Sequence, residues 1–124
     1  MERARVVRRR LGGSLRQSGI FAAAALYALE HHRGRLAEDH ANAALLAERA
    51  ARIDGLRVVT PETNIVMMDV ARPGFNAEKI VAAMKERGVL LSAFTPTRIR
   101  AVTHLDVDRQ AIETAASELR EVLR

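Results

Sequence analysis

The spacing of apolar residues changes at Leu56, and that change limits what the chain can fold into. Up to Ile53 apolar residues recur three and four apart, the repeat of helices that hide one face. From Leu56 onward, short apolar runs of strand length sit between Pro, Gly and Asn, the punctuation of strands and turns. The predicted order is three helices, then β-β-α-β-β-α. A run of helices followed by a small sheet with helices on one face is an α+β arrangement with mostly antiparallel strands. Residues 1–54 read as connecting helices, and residues 55–124 as the small α+β domain.

The elements follow from local chemistry. Residues 1–10 form a short basic helix stopped by Gly12-Gly13. Ser18 caps a helix to His32 whose body, Phe21–Leu29, is apolar almost all round, which predicts a buried element. After Gly34, a helix over Arg35–Ile53 turns Leu36, Ala43, Ala44, Ala47 and Ala51 inward, with Glu38, Asp39, Glu48 and Arg52 outward. Leu56–Thr60 is a strand ended by Pro61. Asn64–Val70 (NIVMMDV) is a continuous apolar run, predicting burial on both faces. Pro73-Gly74 make a turn, Asn76 caps a helix to Arg87, and Gly88 is its C′ residue. Val89–Ala93 is a short strand, Thr95–Thr97 a turn and Arg98–His104 the last strand. Asp108 then caps a final helix with Ile112, Ala115, Ala116, Leu119 and Val122 facing in.

Composition narrows the function. Aromatic residues are 3% of the 124, with no Trp, which weakens any reading that needs bases stacked on aromatic platforms. The net charge of +5 permits nucleic acid or a negatively charged ligand as partner, but much of the excess lies in residues 3–16, so the whole surface is not basic. With no Cys there is neither a disulfide nor a thiolate metal site. His31, His32 and His40 lack a carboxylate or Cys to complete a tetrahedral set, so no metal is expected. The longest apolar run, Ile20–Leu29, is half of the roughly 20 residues that cross a bilayer. The N-terminus lacks a secretory apolar region, and Glu2 argues against a transit peptide. The expectation is a cytoplasmic protein that binds neither membrane nor nucleic acid.

Two arginines on the last predicted strand, Arg98 and Arg100, lie two apart and so on one face. Arg16 follows a double glycine and precedes a helix, where backbone amides favour anions. Any of these arginines could equally serve a surface ion pair. His104, at the strand end, fits either a structural hydrogen bond or a general base that must first reach substrate.

Three ordered stretches, LGGSLRQSGIFAAAALYALEHHRGRLAEDHANA from Leu11, TNIVMMDV from Thr63 and RIRAVTHLDVD from Arg98, resemble the C-terminal part of the low-specificity L-threonine aldolases. These are fold type I pyridoxal-phosphate enzymes of the aromatic amino acid β-eliminating lyase/threonine aldolase group. The resemblance runs from about Arg8 to Arg124. It implies cleavage of the Cα–Cβ bond of a β-hydroxy-α-amino acid to glycine and an aldehyde. It also implies pyridoxal phosphate as cofactor and a homo-oligomer, dimer or tetramer. Arg100, before the VTH motif, is implied to clamp the substrate carboxylate, a task suited to a planar bidentate donor. Arg16 is implied to reach the cofactor phosphate, with Gln17, Arg98 and His104 as supporting residues.

Family members usually have a glycine where this chain has Ser14; a positive φ there would cost about 1–2 kcal/mol. The Schiff-base lysine and the large cofactor-holding domain of the family lie upstream of the LGG motif. Lys79 and Lys85, the two lysines here, fall in the wrong segment, so no catalytic residue is assigned. The chain is expected to be a fragment, inactive by itself. The alternatives are a non-catalytic structural or dimerising domain and a basic anion- or nucleic-acid-binding module.

Overall fold

A computed structural model describes residues 1–13 and 15–124; Ser14, and with it the question of its φ, lies outside the described residues. Two compact units divide at Gly34. The first, Met1–Gly34, holds helix α1 (Glu2–Arg10) and helix α2 (Ser18–His31). Two corrections arise here. Ser18 is the first helical residue of α2, not its cap; Gln17 is the N-cap and makes no side-chain cap bond. And no residue of α2 is buried, with Ile20 70% and Phe21 63% exposed. All-round apolarity states what a helix would gain by being covered; it does not supply the second layer that covers it.

The second unit, Arg35–Arg124, is an α+β domain. After a 3-10 turn at Arg33–Arg35 come helix α3 (Leu36–Ala50), strands β1 (Leu56–Val59) and β2 (Ile65–Val70), and helix α4 (Ala77–Glu86). Strands β3 (Ser92–Thr95) and β4 (Arg98–Val102) and helix α5 (Arg109–Val122) follow. The strands pair antiparallel in the order β1-β2-β4-β3. Helix α3 lies against β1 and β2, α4 lies against β3 and β4, and α5 packs along both helices. Because α3 shares its core with the sheet, the compact unit begins at Arg35, whereas the sequence suggested a boundary after residue 54.

Alternation along the strands builds that core. Val66, Met68 and Val70 on β2 and Ile99 and Ala101 on β4 turn toward the helices and are buried. Against them lie Leu46 and Ala50 of α3, Ile80 and Met84 of α4, and Ile112, Ala116 and Leu119 of α5. No helix of this unit packs on the other face of the sheet among the described residues. There Ile65 is exposed and Met67 and Asp69 are half-buried. The expectation that β2 is covered on both faces is therefore corrected. An antiparallel sheet can leave one face open, and the apolar Ile65 and Met67 on that face disguise the alternation.

Local expectations met the structure unevenly. Asn76 and Asp108 cap α4 and α5, their carboxamide and carboxylate oxygens accepting from Lys79 and Ala111 N–H at 2.8 Å each. Gly88 ends α4 at φ +79°, and the Val89 N–H reaches back to the Met84 carbonyl at 2.9 Å, the closing bond of a Schellman turn. Strand β3 lies later than the predicted Val89–Ala93, at Ser92–Thr95, with an irregularity between Ala93 and Thr95. The apolar Leu90-Leu91 pair gives the look of a strand to what is a loop. On α3 the buried residues are Asp39, Asn42, Ala43, Leu45, Leu46, Ala47 and Ala50; Ala43 and Ala47 face in as expected, whereas Leu36, Ala44 and Ala51 are exposed. Asp39 was expected outside. It is buried because Arg35 Nη1 lies 3.3 Å from its carboxylate, and its backbone carbonyl accepts the Thr103 hydroxyl at 2.7 Å.

Candidate anion site on the open face of the sheet

The β2–β4 register decides what the two strand arginines can do. Asp69 stands opposite Arg98, and Met67 stands opposite Arg100. Arg98 therefore meets a carboxylate: its Nε and Nη2 donate to the two Asp69 oxygens at 2.6 and 2.9 Å. This bidentate pairing holds the Asp69 carboxyl below the ordinary range for aspartate and raises Arg98, through the hydrogen bonds first and the charge attraction second; Arg57 across β1 adds to the effect on Asp69.

Arg100, two residues on and on the same face, meets a thioether instead. It enters no ion pair among the described residues. Its Nε is shielded from solvent without a hydrogen-bond partner, a condition that normally costs free energy. Its guanidinium lies 5.9 Å from the centre of the Phe94 ring on β3, within the range of a cation–π contact. A guanidinium presents several N–H donors in one plane, the arrangement that matches a carboxylate, and here it has no counter-charge among the described residues.

The other expected site residues lie elsewhere. Arg16 and Gln17, in the first unit, form the exposed turn that enters α2. Arg16 has no ion-pair partner among the described residues, and the positive end of the α2 dipole begins beside it. His104, past the end of β4, is exposed. Its Nδ1 accepts from the Asp106 N–H at 3.4 Å and lies 3.7 Å from the Asp106 carboxylate. It also borders a cavity of about 450 Å³ between β4, the α4–β3 loop and the start of α5. Lys79 and Lys85 are both exposed on α4, on the helix side of the sheet, and Lys79 Nζ donates to the Gly74 carbonyl at 3.2 Å. Neither lysine shares the face of Arg100. Among the described residues, no three His, Asp or Glu side chains gather as a metal set, and no helix is long and apolar enough to cross a membrane. Two residues that shape the site, Asp69 and Phe94, were not singled out from sequence. Asp69 sits inside an apolar run, and only the strand register reveals which arginine it faces.

An antiparallel sheet backed by helices on one face defines the class: a small α+β domain, with Arg100 left without a counter-charge among the described residues on the other face. The chain belongs to the beta-eliminating lyase family, which it matches over residues 1–73. It is 43% identical over 116 residues to the low specificity L-threonine aldolase of Escherichia coli (strain K12), covering 94% of this chain and 33% of that protein. It is 41% identical over 107 residues to low-specificity L-threonine aldolase 1 of Arabidopsis thaliana, covering 84% of this chain and 30% of that protein. The chain thus spans about a third of the length of these curated relatives. The first alignment leaves too few residues uncovered to stop short of Arg100. In three dimensions the chain is similar to a structure of MppP soaked with the product 2-ketoarginine, with a TM-score of 0.56 at 15% identity, over 70% of this chain and 27% of that one. That likeness is one of fold.

Proposed function

We propose that these residues form the substrate-carboxylate side of a lyase of the threonine-aldolase type, which cleaves β-hydroxy-α-amino acids to glycine and an aldehyde with pyridoxal phosphate. The single observation that carries the reading is the contrast on β4: Arg98 is neutralised by Asp69 while Arg100 is left without a counter-charge over Phe94. The aldolase names of these two relatives support it.

In this reading Arg100 takes the amino acid carboxylate through two parallel N–H donors. Two bonds stop the carboxylate from turning, and this fixes the direction of the Cα–Cβ bond. Phe94 limits where the guanidinium plane can tilt. Arg16, at the mouth of α2, meets a phosphate, and a homo-oligomer would let that phosphate belong to a neighbouring subunit. Gln17 lies beside it in the same turn, and His104 stays with the Asp106 turn.

The residues here fit only part of a pyridoxal-phosphate site. In this reading Arg100 would take the substrate carboxylate and Arg16 the cofactor phosphate, but neither lysine is on the Arg100 face. We therefore assign cofactor attachment, and the bond-breaking step, to a further part of the protein, and derive no step through the cofactor from these residues. A direct test is to supply the 124-residue chain with pyridoxal phosphate and threonine or allo-threonine. The reading expects no glycine release, and turnover by this chain alone would contradict it.

A further inference from the structure

We propose that Arg98 is a positioning residue whose task is to hold Asp69 away from Arg100, so that Arg100 stays open to an external carboxylate. The inference deepens the reading of Arg100 as a carboxylate receptor and rests on it for its purpose.

The geometry makes the task necessary. Asp69 and Arg100 share the open face of the sheet on adjacent strands, as diagonal neighbours one step from the Asp69–Arg98 and Met67–Arg100 pairs. Diagonal neighbours of this kind lie about 7–8 Å apart, within reach of a long side chain. A carboxylate one diagonal step from an uncompensated guanidinium will pair with it unless something else holds it. Arg98 does so with both oxygens at once, and no other residue hydrogen-bonds that carboxylate among the described residues. Arg57, opposite Asp69 on β1, adds charge but no hydrogen bond. A sheet face with one acid and two arginines on β2 and β4 is thereby divided into a neutral pair and one free cation. A lone arginine without the Asp–Arg pair would be equally free. With Asp69 present, however, the freedom of Arg100 depends on Arg98.

Arginine reactivity reads this without substrate or cofactor. The whole chain is treated with phenylglyoxal, and modification of each arginine is followed by peptide mass mapping. In the unaltered chain Arg100 is modified faster than Arg98. In Arg98→Met, Asp69 turns to Arg100 and slows its modification by about two- to fivefold, the range of a single partly exposed ion pair. In Asp69→Asn/Arg98→Met the original Arg100 rate returns, which a general loosening of the sheet would not produce. An Arg100 rate unchanged in folded Arg98→Met, with Asp69 taken up by Arg57, overturns the proposal. Asp69→Asn alone keeps the question answerable should Arg98→Met not fold. There Arg98 becomes as reactive as Arg100 while Arg100 is unchanged, and a rise at Arg100 overturns the proposal. If the labelling behaves as stated but glycine does not bind, the carboxylate-receptor reading fails and the Arg98–Asp69 relationship stands.

Discussion

Arg49 of α3 grips Glu113 of α5 through two parallel bonds, Nε to one carboxylate oxygen at 3.0 Å and Nη2 to the other at 2.9 Å. The pair lies at the rim of the two helices whose apolar faces meet beneath it. It lowers the Glu113 carboxyl and raises Arg49, first through the hydrogen bonds. At this half-exposed rim the pair is screened by solvent. Glu113→Gln should lower the melting temperature by less than truncation of the neighbouring buried Leu119 to Ala. The difference between Glu113→Gln and the unaltered chain should shrink in high salt, as thermal melts at two ionic strengths will show.

The core answers differently. Ile99 is fully buried in β4 between the helices and β2, so no solvent can refill the space it leaves. Ile99→Val should cost about 0.5–1.5 kcal/mol and Ile99→Ala about 2–5 kcal/mol in urea unfolding. A loss from Ile99→Ala no larger than that from Val102→Ala, at an exposed position of the same strand, would mean that β4 does not face the core as described.

Two glycines separate backbone strain from steric conflict. Gly88 closes α4 at φ +79° with open space around the position a Cβ would take, so Gly88→Ala should cost only the strain, about 1–2 kcal/mol. Gly55 enters β1 at φ +89°, where a Cβ would come 2.5 Å from the Arg72 Cβ and 3.2 Å from its Cα. Gly55→Ala must therefore move the loop after β2 and should be clearly the more damaging of the two in denaturant titrations.

The Asp69–Arg98 pair has a pH signature. The folded-state carboxyl of Asp69 lies below its ordinary value. Its contribution to stability is therefore fully present above the ordinary aspartate range and is lost as pH falls through the lowered value. Asp69→Asn should be less stable than the unaltered chain at neutral pH. The gap between their melting temperatures should close at pH values below the usual aspartate range. A gap that stays constant with pH would show that the pair contributes by packing alone.

What could be read in advance was what local chemistry decides. The helices capped by Asn76 and Asp108, the stop at Gly88 and the inward stripe of α5 follow from spacing and caps. Features set by tertiary pairing could not be read. Asp39 is buried only because Thr103, more than sixty residues away, and Arg35 meet it. Met67 and Ile65 look like core residues, yet they lie on the uncovered face. The different fates of Arg98 and Arg100 depend on a register that places Asp69 opposite one and Met67 opposite the other. Alternation on a strand gives the face that two residues share but not the partner each will meet.

The proposed function stands on Arg100 receiving an amino acid carboxylate. The most direct measurement is titration of glycine into the 15N-labelled chain, following the arginine Nε–H resonances, with glycinamide as the ligand that lacks a carboxylate. Glycine should shift the Arg100 resonance and leave Arg98 in place, glycinamide should shift neither, and Arg100→Met should abolish glycine binding while the fold is kept. An Arg100 resonance that ignores glycine, or responds equally to glycinamide, would contradict the proposed function.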